Sequence, residues 1–304
     1  MKRISLCFAL LLSAAAFAAD EPKSVPQIVN VGVYVLNVGK FDLSSGSYTM
    51  DFYLSLTSER EIGDACFEFM NGRSSSLDRL INEPTNKFYR IQANLYDNIN
   101  LKSYPFDQHS LTIQLEDKTN AVTKVVYRFD PANSGIDPDV TIVGWEIPKN
   151  NSFTAQVVPH EYKVFGETYS KFVFGVNVKR ITLTSILKAF LPAFFLVVVG
   201  LLALLLKPDK FAPRLGLNTS TLLGAVMFHL NVTSQIPPVG YLTFADRFMI
   251  VSYIILGACL GSTILLMRHT DAKDEASANR FYRSSLVVIP PLSFTLYALA
   301  FLTR

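Results

Sequence analysis

The sequence predicts an all-β sandwich domain followed by an all-α membrane domain of four helices, and three observations carry that prediction. Half of the 304 residues are hydrophobic and the mean hydropathy is +0.28, too apolar for an ordinary water-soluble domain of this length. The excess is uneven: up to about residue 180 short apolar runs alternate with turn residues, whereas the remainder holds long apolar stretches. The N-terminus reads as an export leader, with Lys2 and Arg3, an apolar run from Ile4 to Phe17 and the small-x-small end Ala16, Phe17, Ala18. Residues 1–19 are therefore expected to be a cleaved signal peptide, with a retained anchor as the alternative reading, and the domain that follows is expected outside the cytoplasm.

The exported domain, residues 20–180, opens with "VNVGVYVLNVGKFDLSSGSYTMDFYLSLTSER", two period-2 strands over Asn30–Val38 and Tyr48–Leu56 joined by turn formers. Further strands are expected at Phe88–Leu95, Ser110–Leu115, Thr123–Phe129, Val140–Trp145, Ser152–Val158 and Lys171–Arg180. Many short strands without helical alternation point to a sandwich. Residues 59–87 show no clear period and read as loop, with at most one short helix near Leu77. Cys7 leaves with the leader; Cys66 and Cys259 fall in different domains and are not expected to pair. No zinc-type Cys/His spacing occurs, and no metal or cofactor is expected. Residues 20–180 hold 20 acidic and 16 basic residues, and residues 181–304 hold 5 and 10, so neither half has the basic face that nucleic acid requires.

The second domain, residues 181–304, contains apolar stretches at Ile186–Leu206, Leu215–Ile236, Ala245–Met267 and Phe281–Leu302. Each approaches the ~20 residues that a bilayer core requires, which places helices over about 181–206, 214–236, 245–268 and 280–303. The connections "KPDKFAPR" and "RHTDAKDEASANR" hold Lys207, Lys210, Arg214, Arg268, Lys273 and Arg280, while "PPVGYLTF" is uncharged, so the positive-inside rule also puts the first domain outside.

The second of these helices is unusually polar: Asn218, Thr219, Ser220, Thr221, His229, Asn231, Thr233 and Ser234 interrupt it. Two readings are open, hydrogen bonding within a packed bundle or a water-filled path. Steps of three and four from Gly216 select Ser220, Leu223, Met227, Leu230 and Ser234, one face with small or polar ends and an apolar band between them. One helix cannot enclose a pore, so such a face needs symmetric copies around an axis, where an apolar belt gates by dewetting.

Several segments occur in one order: "LKSYPFDQH" from Leu101 to His109, "VGWEI" from Val143 to Ile147, Lys179 and Arg180 ahead of the first helix, Pro192 within it, and "RLGLNTSTLL" followed by "IPPVGYLTF". This ordered set, spanning nearly the whole mature chain, resembles the pentameric ligand-gated ion channels, the Cys-loop receptors and their bacterial relatives. The resemblance implies an immunoglobulin-like extracellular or periplasmic sandwich, a homopentamer, and a second helix lining an axial pore at Gly216, Ser220, Leu223, Met227, Leu230 and Ser234, with Leu223 the central constriction. It further implies an entrance at Ala212, Pro213 and Arg214, which leans to anions because it is similar to the Pro-Ala-Arg entrance of glycine and GABA receptors with two residues reversed. Coupling between domains falls to Asp42, Tyr104, Pro105, Phe106, Asp107, Lys179, Arg180, Pro237 and Pro238, with a contact expected between Asp107 and Arg180. Asp97 and Leu111 stand where the animal receptors have the loop cysteines, so the chain looks bacterial, a multi-pass protein of the inner membrane.

The chain departs from the family in its short stretch between Arg60 and Phe88 and in its single tryptophan, Trp145, read as structural. Tyr162, Phe165 and Tyr169 remain as candidates for binding an agonist, whether a small molecule or the proton. The four histidines are scattered and no hydrolase or phosphate-binding motif occurs, so no enzyme is expected, and His109 reads as loop packing. The expected function is a ligand- or proton-gated channel for inorganic ions in a lipid bilayer; the alternative is a non-conducting, membrane-anchored binding or assembly protein.

Overall fold

Eleven strands precede four helices in the computed structural model, which describes residues 25–64, 66–164 and 166–302. The expected signal peptide, the start of the mature chain and Phe165 lie outside the described residues. The strands are β1 (Gln27–Val38), β2 (Ser47–Ser58), β3 (Glu68–Phe69), β4 (Gly72–Asn82), β5 (Asn86–Tyr96), β6 (Gln108–Glu116), β7 (Val125–Phe129), β8 (Gly135–Ile136), β9 (Trp145–Glu146), β10 (Phe153–Tyr162) and β11 (Glu167–Arg180). One sheet runs β4-β5-β2-β1-β7 with β8 also on β1, and the other runs β10-β11-β6-β3 with β9 also on β11.

The two sheets face each other over alternating side chains, since successive strand residues point to opposite faces. Val31, Val33 and Val35 of β1, Phe52 and Leu54 of β2, Leu111 and Ile113 of β6, and Phe172 and Phe174 of β11 are fully buried in one core. Cys66 lies in this core as a free thiol, and burial pushes its pKa up. Asp97, just past β5, accepts from Thr112 N and Oγ1 at 2.8 Å and from the Tyr48 hydroxyl, so a carboxylate ties β5 to β6 without a disulfide.

Two expectations need correction. Residues 72–82, read as loop with a possible short helix near Leu77, form β4 and pair with β5. The strand was illegible because it is an edge strand: Arg73 to Asn82 are all exposed, and register slips at Ser74/Ser76 and Arg79/Ile81 break the alternation. The strand expected over Val140–Trp145 shrinks to an isolated Ile142–Trp145 bridge and the two-residue β9. Gly144, at φ +84°, turns the chain there.

The helices are α1 (Thr182–Ala203), α2 (Phe211–Thr233), α3 (Phe244–Asp271) and α4 (Glu275–Leu302). Among the described residues, three helical stretches are long and apolar enough to cross a membrane, Leu183–Ala203, Phe244–Asp271 and Glu275–Leu302. Helix α2 is not among them, because its polar residues lower its hydropathy. Phe190, Phe244, Phe248 and Phe301 bring α1, α3 and α4 together, with ring centroids 4.6 to 6.3 Å apart.

The core of β11 holds the strand that delivers Arg180 to the helices. Phe174→Ala, which also removes the stack on Phe153, is expected to lower the sandwich's unfolding free energy by about 3–5 kcal/mol. Chemical denaturation followed by near-UV circular dichroism checks this, and a loss below about 1 kcal/mol would contradict it.

Candidate functional site

The two domains meet at a seam built from the loop between β5 and β6. Within it Leu101 and Tyr104 are buried with Val232 of α2 and Ala245 of α3. Backbone bonds stitch the loop to the start of α3: Phe244 N donates to Lys102 O at 2.8 Å and Ala245 N to Tyr104 O at 3.1 Å. Leu101 N donates to the Tyr241 hydroxyl at 2.9 Å, and the Phe106 ring wedges against Phe190 and Phe244 at 5.9 and 5.5 Å.

An ion pair lies behind this wedge. Arg180 Nε donates to Asp107 Oδ1 at 2.7 Å and Nη2 to Oδ2 at 2.8 Å, so the expected contact is present and is bidentate. Arg180 is also stacked, its guanidinium carbon 4.4 Å from the Trp145 ring centroid and 5.1 Å from that of Tyr104. Trp145 is thus more than core filler: it is the platform on which Arg180 lies. Trp145 comes from β9 and is separated from the Arg180 end of β11 by the whole of β10, so chain order carries no signal of this contact.

The other proposed coupling residues divide. Asp42 turns back onto its own loop, accepting from Ser44 N and Oγ at 2.9 and 2.7 Å, while its neighbour Leu43 reaches the seam. Lys179 and Pro238 are exposed, Pro105 is buried and Pro237 half-buried, and neither of these two prolines has a polar side chain to contribute.

Helix α2 has two sharply different faces. Arg214, Asn218 and Ala225 are 0% exposed and Thr221 and Val232 nearly so, whereas Leu223, Met227 and Leu230 are 65%, 61% and 60% exposed. Gly216, Ser220 and Ser234 continue the exposed stripe toward both ends. On the buried face Arg214 donates from Nε to Thr263 Oγ1 at 2.9 Å and from Nη2 to Ser262 Oγ at 3.1 Å. Asn218 Nδ2 donates to Thr263 Oγ1 at 2.8 Å and to Cys259 O at 3.2 Å.

Arg214 therefore does not share the outward face that Ala212 and Pro213 present, which corrects its assignment to the entrance. The steps 214, 218, 221 and 225 form a face of their own, opposite the stripe.

The expected agonist aromatics sit at the far end of β10 and β11. Tyr162 donates to Glu116 Oε2 at 3.0 Å, its ring 5.5 Å from Tyr169 and 4.5 Å from His160. Burial and the bond to Glu116 push the Tyr162 phenol up to about 12. Three of the four histidines rest on carboxylates: His109 on Asp107, His160 on Glu116 and His229 on Asp246. Reading them as scattered missed this: His160 and His229 meet their carboxylates across fold contacts that spacing does not disclose, whereas Asp107 and His109 stand two residues apart at the start of β6. Among the described residues, no group of three potential metal ligands occurs.

No family model matches the chain. Over 262 residues it is 23% identical to a proton-gated ion channel of Gloeobacter violaceus, the match covering 78% of this chain and 70% of that protein. It is 27% identical over 162 residues to pH-sensitive chloride channel 2 of Anopheles gambiae, and 18% identical over 158 residues to gamma-aminobutyric acid receptor subunit beta-4 of Gallus gallus. Each covers 52% of this chain, but only 26% and 32% of those longer proteins.

Burial alone would raise the Asp107 pKa, but the hydrogen bonds from Arg180 and His109 outweigh it and hold the carboxyl at about 2, below its ordinary 3.8. A depressed carboxylate stabilises the fold above its unfolded value and loses that contribution as pH falls through the folded one. Wild type should therefore lose about 2 kcal/mol more than Asp107→Asn between about pH 4 and pH 2. Parallel unfolding curves for the two proteins would contradict the pair's strength.

Proposed function

Because the chain belongs to the pentameric ligand-gated ion channel superfamily, we propose that it is a proton-gated channel for small inorganic ions, with copies of α2 lining a pore on the axis of a homopentamer. Its relatives are channels and receptor subunits, and the chain is not an enzyme. The observation that carries the reading is the division of α2. Its buried face spends Arg214 and Asn218 on α3, and Thr219, Thr221, Thr233 and Ser234 bond back to their own helix. What remains is an outward stripe from Gly216 and Ser220 through Leu223, Met227 and Leu230 to Ser234, apolar in the middle and small or polar at its ends.

A stripe that is polar at its ends fits neither lipid nor a dry interface, and suits a column of water interrupted by an apolar belt. All four helices cross the bilayer in this reading, with the sandwich on the periplasmic side of a bacterial inner membrane. The proton is favoured as agonist because two kinds of relative carry proton or pH sensitivity in their names and because three histidine–carboxylate pairs stand at element contacts. Tyr162 and Tyr169, beside the His160–Glu116 pair, are the place where a small-molecule agonist would meet the same machinery.

Purified chain in a planar bilayer is expected to pass current when the pH on the sandwich side is lowered, and Leu223→Ser is expected to raise the current at neutral pH by wetting the belt. A membrane that stays silent across pH and a small-molecule panel would favour the non-conducting anchor. A Leu223→Ser channel with wild-type closed-state current would place the gate elsewhere.

A further inference from the structure

The seam's carboxylate serves two bases at once. Asp107 Oδ2, which accepts from Arg180 Nη2 at 2.8 Å, lies 2.7 Å from His109 Nε2. The side chains of Asp107 and His109 are 0% and 5% exposed, so water does not dilute the contact. The imidazole stands edge-on between Phe41 and Trp145, with centroids at 5.8 and 5.2 Å, beside the same indole that carries Arg180.

With a neutral imidazole donating from Nε2, Asp107 and Arg180 balance and the seam carries no net charge. A further proton on Nδ1 sets two cations on one carboxylate oxygen in a closed pocket, where charges interact several times more strongly than in water. The other titratable groups around it supply no second buried anion. On β11 Lys179 is exposed, as is Glu146 opposite it on β9. In the β5–β6 loop Tyr104 is kept neutral by burial, which pushes its phenol up, and in the β1–β2 loop Asp42 is turned onto Ser44. The excess charge is relieved if Arg180 or His109 gives up Oδ2.

Resting on the proton-gated reading, we propose that His109 is a proton-binding site whose occupation loosens Arg180 from Asp107 and so releases the root of α1. Arg180 lies two residues before α1 begins, and its backbone N also donates to Asp107 O at 3.2 Å, so the pair fixes the point where sandwich becomes helix. The other two histidine pairs lack this reach. His160 and Glu116 join β10 to β6 within the sandwich, and His229 and Asp246 join α2 to α3. Asp246 caps the start of α3 through Thr243, whereas the His109 carboxylate holds Arg180, the residue at which the sandwich passes into α1.

Trp145 makes the site readable without a current. It is the chain's one tryptophan and touches both cations, and a protonated imidazole quenches a neighbouring indole. Full-length protein in detergent is expected to lose tryptophan emission as it is taken from neutral to acid pH. In His109→Gln, whose amide can still donate to Asp107, that transition should vanish, and the proton concentration for half-maximal current in bilayers should rise at least about threefold. His109→Lys, a fixed cation in the same place, should show no emission transition and an elevated current at neutral pH. An emission transition that survives His109→Gln would overturn the proton site. A current–pH curve unchanged in His109→Gln, or a His109→Lys channel silent at neutral pH, would overturn its role in gating. Wild type with the emission transition but without any pH-dependent current would sink the proton-gated reading and leave the proton site standing.

Discussion

Within a bilayer a helix has no water to satisfy its polar groups, so each must find a partner in the protein or stand beside a wet cavity. In the proposed channel, helix α2 answers this constraint mostly through α3, although Arg214 Nη1 and Asn218 Oδ1 are buried with no hydrogen-bond partner among the described residues. Asn218 and Arg214 reach α3, which forces α3 to present Ser262, Thr263 and the Cys259 carbonyl at matching heights. His229 reaches α3 higher up, on Asp246, and Asp246 in turn closes the capping box with Thr243 that starts α3. The α2–α3 pairing is thus a polar zipper, and it fixes which side of α2 is left over. That remaining side carries Leu223, Met227 and Leu230, and its exposure in one chain is the reason to look for further copies around an axis.

The seam follows a different logic. There the loop between β5 and β6 is held by backbone bonds to Phe244 and Ala245, and by aromatic packing of Phe106. Asp107 and Arg180 then join that loop to the end of β11, so the start of α1 and the start of α3 are tied to one short segment of the sandwich. Breaking a buried pair of this kind leaves a charge without a partner and costs about 3–5 kcal/mol, enough to shift a conformational equilibrium decisively. A group that weakens the pair without deleting it gives a graded control.

Much of this was legible in the sequence, and for identifiable reasons. Strands such as β2 and β5 bury one face, so their period is written in the residues, and the apolar stretches of α1, α3 and α4 announce themselves by length. Strand β4 buries neither face and leaves no pattern to read. The pairing of Asp107 with Arg180 came from resemblance; the platform beneath it did not, because nothing in the chain order says that Trp145 and His109 converge on the same carboxylate. Arg214 was misplaced at the entrance although its face was recoverable: 214, 218, 221 and 225 repeat at helical spacing, and three of those four residues are polar.

The most direct test of the pore assignment is current block in a cysteine series along α2. Cys66 and Cys259 are buried, and a Cys7→Ser background leaves no other native thiol open to a charged thiol reagent. Cysteines at Gly216, Ser220, Leu223, Met227, Leu230 and Ser234 are expected to react with the reagent and block current. Cysteines at Thr221, Ala225 and Val232 are expected to be inert. Block that follows no helical face, or that falls on the buried face, would contradict the account.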